Sequence, residues 1–176
     1  MGNDIITYIQ KLELFGFFSG YCLIYTLIYF LKGENNSKPK LLINRLATLL
    51  PYAYALTATL YLGMFIKNIS LDFSIQNFQD QFRVPFLEIW ALLAVFFWIP
   101  LFNKKTVFSL IHSLVFFGFL VHEFFINMNS PVGKEVIHNY MKVFTDSLFL
   151  NLTTLALVTF TYFFLLYFGK KRKSFS

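Results

Sequence analysis

Few side chains able to do chemistry stand inside the apolar stretches of this sequence. They are Glu88, His112, His122, Glu123, Asn151 and Thr154. Ionisable groups within hydrocarbon are costly, so Glu88, His112 and Glu123 are functional candidates by default. Glu88, His122 and Glu123, with Asp146, fall at one depth in the topology derived below. Two or three carboxylates and an imidazole are the donor types of a metal or proton-transfer site. Their spacing argues otherwise. No H-x-x-x-H or E-x-x-H pair occurs, and the adjacent His122 and Glu123 point about 100° apart on a helix. Glu88 follows Pro85 by three residues, where a helix N-terminus accounts for an acid. Interfacial, solvated acids are therefore expected here, with no metal and no cofactor. Haem is not expected either, because His112 has no second histidine at its depth.

His112 lies deeper than these acids. At 100° per residue Ser109, His112, Ser113, Phe116, Leu120 and Glu123 share one helical stripe, and Ser147, Asn151, Thr154, Val158, Thr161 and Tyr162 share another. The two stripes are expected to face each other. Interhelical hydrogen bonding explains them most simply; a hydrated path or a small-ligand pocket is the functional alternative. Nucleophile elbows, zinc-protease, phosphate-loop and dinucleotide motifs are absent from the sequence. The lone Cys22, in an apolar run, reads as a buried, inert thiol.

The elements that must position these residues follow from composition. Of 176 residues, 57% are hydrophobic and 14% charged, against about 25% charged in soluble domains. So small a chain cannot bury that much apolar surface in water. Disordered, collagen-like and disulfide-rich classes fail the same test. The expected fold class is all-α, a polytopic transmembrane helical bundle forming one integral membrane domain over 1–176. Five apolar runs, about 12–31, 41–66, 85–102, 106–126 and 147–168, approach the roughly 20 residues that cross a bilayer core. None alternates with period two, so strands are excluded. The third run is the shortest and carries Glu88. The first lacks a small-residue cleavage site and reads as a retained helix rather than a signal peptide. The stretches 67–84 and 127–146 read as longer connections, the former as an amphipathic segment at the interface.

Five spans sort the basic residues cleanly. Lys11, Lys67, Arg83, Lys134 and Lys142 fall on one side. Lys32, Lys38, Lys40, Arg45, Lys104, Lys105, Lys170, Lys171, Arg172 and Lys173 fall on the other. The richer side is assigned to the cytoplasm, with the N-terminus outside and the C-terminus inside, in an inner or plasma membrane. The cluster Lys170-Lys171-Arg172-Lys173 reads as an anchor on lipid headgroups. The net charge of +6 suits that role better than nucleic acid, which is not expected as a partner.

Packing signals are clearer than catalytic ones. Gly16 and Gly20 form a G-x-x-x-G pattern, and Ala47, Pro51, Ala55, Thr59 and Gly63 recur every fourth residue; such ridges let helix backbones approach. Pro51 is expected to kink its helix. These features point to a non-enzymatic membrane subunit, scaffold or regulator of a larger complex. Its partners would be membrane lipids and other membrane subunits or further copies of itself. Two alternatives stay open: a homo-oligomeric channel or transporter lined by the fourth and fifth helices, and a membrane-embedded enzyme acting on a lipid or quinone.

Overall fold

In hydrocarbon a backbone must satisfy its own polar groups, and long apolar runs do so as helices. The computed structural model describes residues 2–34, 40–71, 85–128 and 133–173, and these are helical with short turns and no strand. The helices are α1 (Gly2–Phe18), α2 (Tyr21–Glu34), α3 (Lys40–Leu71), α4 (Pro85–Leu93), α5 (Val107–Met128) and α6 (Gly133–Lys173). A 3₁₀ helix, Ala94–Trp98, and one helical turn, Pro100–Asn103, lie between α4 and α5.

Among the described residues four segments are long and apolar enough to cross a membrane: Tyr8–Lys32, Leu42–Asn68, Val107–Ile126 and His138–Phe168. The third expected run, 85–102, yields only the shorter Phe86–Trp98. Its helix is interrupted at Pro100, which has no N–H to donate. Proline also pushes the preceding residue out of the α region, and Ile99 is extended (φ −77°, ψ 127°).

Two other expectations are corrected. The first run is not one continuous helix, because α1 ends at Phe18 and α2 begins at Tyr21. Much of the expected connection 127–146 is helix, since α6 starts at Gly133. Its polar composition masked a helical period. Tyr140, Val143, Phe144 and Ser147 recur at i, i+3, i+4 and i+7, and Tyr140 packs edge-on against Tyr8 of α1. Pro51 sits inside α3, which is helical throughout its length. The supposed amphipathic segment lies largely outside the described residues.

Ring and hydrogen-bond contacts fix the helix directions. Tyr54 of α3 meets Tyr21, and Tyr61 meets Phe17 and Phe18. Ser109 of α5 meets Tyr21, Phe116 meets Phe18, and Glu123 pairs with Lys11. Both α3 and α5 thus run antiparallel to α1–α2 and parallel to each other. The chain between them must return from one end of the bundle to the other. The descending α4–3₁₀ stretch carries out part of that return, placing Phe97 against Tyr54 and Trp98 near Thr59.

The core is aromatic. Phe18 contacts Tyr54, Tyr61, His112 and Phe116, the last stacked at 4.9 Å. Each such pair adds about 0.5–1.5 kcal/mol beyond area burial.

Candidate functional site

The break between α1 and α2 falls near the middle of the first span. Glycine and serine are weak helix formers, but what sustains a break in apolar surroundings is the supply of other partners. The Gly20 N–H donates to Ser147 Oγ (2.8 Å) and the Cys22 N–H to Ser113 Oγ (3.0 Å). Ser113 Oγ donates in turn to the Phe18 carbonyl (2.8 Å), and Asn151 Nδ2 donates to the Phe17 carbonyl (2.9 Å). Two backbone donors and two carbonyls left by the interrupted helix are thereby satisfied from α5 and α6.

Both polar stripes converge on this break. Their hydrogen bonds run to the break between α1 and α2. Ser109, His112, Ser113, Ser147, Asn151 and Thr154 are all buried. Thr57 of α3 joins them, its hydroxyl 3.3 Å from Asn151 Oδ1 and 3.1 Å from Thr154 Oγ1. Thr161 is exposed, so the α6 stripe leaves the interior before it ends.

His112 has both ring nitrogens engaged. Nε2 lies 2.6 Å from the Trp90 carbonyl, which can only accept, so Nε2 carries the proton. Nδ1 is then the acceptor for the Tyr54 hydroxyl at 2.7 Å. The imidazole stacks on the Trp90 ring (4.9 Å, 7°), and Trp90 Nε1 donates to the His112 carbonyl (3.3 Å). The ring therefore ties α5 to α3 and α4.

The acids separate. Glu88 is 2% exposed, so it is no solvated helix-start acid. Glu123 takes a hydrogen bond and ion pair from Lys11 of α1, both half-buried. His122 and Asp146 are exposed. Among the described residues no three histidine, cysteine or acidic side chains cluster in a way that would hold a metal.

The packing candidates also divide. A Cβ on Gly20 would lie 2.6 Å from the Leu148 backbone nitrogen, so only glycine admits this approach of α6. Gly16 has ordinary room beside Val143, and Gly63 faces open space. Ala47, Pro51 and Ala55 are buried, whereas Thr59 is exposed and accepts from Trp98 Nε1 (2.8 Å). The side chains of Lys170, Lys171, Arg172 and Lys173 lie outside the described residues.

The sequence reading overlooked the tyrosines. Tyr21, Tyr25 and Tyr29 stand at i, i+4 and i+8 on α2. Tyr21 bonds Ser109 (2.8 Å), and Tyr25 and Tyr29 both reach Thr106 Oγ1 (3.3 and 2.6 Å). The regular spacing was the available signal. Compared with known protein families, curated proteins and solved structures, the chain has no match.

Proposed function

We propose that this protein is a non-enzymatic subunit or scaffold of a membrane complex, docked through the distal half of α6. The observation carrying this reading is the contrast in coverage along the bundle. In the most apolar 18-residue window of α6 only 17% of residues are buried, against 56% in each of the first two spans. From Phe160 to Phe168 every residue except Tyr162 is exposed. Beside this stretch runs a groove of about 490 Å³ between α3 and α6, lined by Leu49, Tyr52, Leu56, Leu157, Tyr162 and Leu165 among others. The occupant that fits is a transmembrane helix of another protein, packed by van der Waals contact. The engagement of His112, Asn151 and Thr154 in bonds within the chain favours this role over a conducting path or a catalytic centre.

We further infer five crossings with the N-terminus outside and the C-terminus in the cytoplasm. The parallel course of α3 and α5 supports an odd count, and so does the distribution of basic residues. The α4–3₁₀ stretch rises about 24 Å, and the turn after it adds length. The basic cluster at 170–173 would then anchor α6 on anionic headgroups.

A photo-crosslinking side chain at Leu157 or Leu165 should capture one discrete membrane protein in native membranes. The same group at Ile89, exposed on another face, should capture none. Adducts with lipid alone at all three positions would remove the docking reading. For topology, Ser130→Cys should be labelled from outside and Ser37→Cys should not.

A further inference from the structure

We propose that the cavity between the α4–3₁₀ bend and α5 is a binding site for one anionic phospholipid, its acyl chain inside and its phosphate on Lys104 and Lys105. The cavity measures about 470 Å³ and is lined by Trp90, Leu93, Phe97, Phe102, Phe108 and Ile111, among others. That volume lies within the range of about 300–1,000 Å³ typical of small-molecule sites.

The bend that opens the cavity is held by its own bonds. Asn103 is buried, and its Nδ2 donates to the Phe97 carbonyl (3.1 Å). The Phe102 and Asn103 N–H groups return to the Ile99 carbonyl, and the Lys104 N–H to that of Pro100. The proline bend and the turn at Lys104 and Lys105 thus frame the cavity between this stretch and α5.

Its lining selects the occupant. The polar side chains in the wall, His112 and Trp90, have their nitrogens engaged with Tyr54 and with each other's carbonyls. A ligand bearing carbonyls or hydroxyls would find no donor there, whereas a hydrocarbon chain needs none. The wall opens outward, since Phe96, Ile99, Phe102, Phe108 and Ile111 are all exposed. At its rim the Lys105 ammonium stands 5.6 Å from the ring centroid of Phe108, itself a wall residue. Lys104 is exposed beside it. An apolar slot with two cations at its mouth complements an acyl chain joined to a phosphate. Because the charges sit at the junction of the two walls, the match does not depend on which leaflet they face.

The test uses Trp90 as reporter. The full chain with Trp98→Phe keeps Trp90 as its only tryptophan. It is reconstituted in phosphatidylcholine vesicles with a minor fraction of dibrominated phosphatidylglycerol or dibrominated phosphatidylcholine. Brominated phosphatidylglycerol should quench Trp90 at severalfold lower mole fraction. Lys104→Gln with Lys105→Gln should erase the preference, with each single substitution lowering it by up to about fivefold. Ile111→Phe, which narrows the cavity and leaves the lysines in place, should reduce quenching by both lipids. Equal quenching by the two lipids would overturn the proposal. So would a preference that survives loss of both lysines, or quenching unchanged by Ile111→Phe. Helical circular dichroism of each variant shows whether it has folded.

Discussion

Both halves of α6 carry leucine, phenylalanine and threonine, the far half more of them, yet only the near half is held by the bundle. Around Ser147, Asn151 and Thr154 the helix is in contact with α1, α2 and α3, and its backbone comes against Gly20. From Phe160 onward it has apolar side chains of equal or greater size and little protein around them. In a bilayer, an apolar side chain gains little by leaving lipid for protein. Close backbone approach and polar bonds decide which surfaces meet. The near half has both, and among the described residues the far half makes no hydrogen bond to another helix, Thr161 bonding only the Leu157 carbonyl of α6 itself.

That contrast can be broken by substitution, read as unfolding free energy of the purified chain in detergent. Gly20→Ala should do most damage, about 2–3 kcal/mol, because its methyl group meets the α6 backbone rather than a movable side chain. Asn151→Leu should follow at about 1–2 kcal/mol, losing its bonds to the Phe17 and Ser147 carbonyls. Ser113→Ala removes an acceptor for Cys22 and a donor to Phe18, and should cost about 1 kcal/mol. Phe164→Ala, a larger deletion of apolar surface than any of these, should change stability by less than about 0.5 kcal/mol. A Phe164→Ala cost equal to that of Asn151→Leu would show that apolar burial, not polar bonding, secures α6.

Much of this arrangement could be read from residue order, because hydrocarbon leaves a chain few options. Long apolar runs announced the helices containing His112 and Asn151, and the four-residue spacing of Gly16 and Gly20 announced a close approach. Several features escaped. The break at Ser19–Gly20 depends on Ser113, Ser147 and Asn151, which lie about a hundred residues away, so no local signal revealed it. The early start of α6 was hidden because Tyr140, Val143 and Phe144 were read by average polarity instead of period. The burial of Glu88 was missed because its place near a helix start offered a sufficient local explanation. The stripes themselves were visible, but a stripe gives a direction on one helix and does not name its counterpart. The tyrosine series on α2 shows the same limit from the other side, since its period was plain and its partner, Thr106, was not.

The interrupted first span has a consequence for biogenesis. Its stranded amide and carbonyl groups are satisfied by residues 113, 147 and 151, which the ribosome has not yet made when residues 8–32 reach the bilayer. Until those side chains arrive, an opened backbone would face lipid with nothing to bond to. The nascent segment must therefore insert in some other form, with an unbroken helix the simplest, and adopt its final shape once Ser113, Ser147 and Asn151 are in place. A segment that enters the membrane before its bonding partners thus matures only after they arrive.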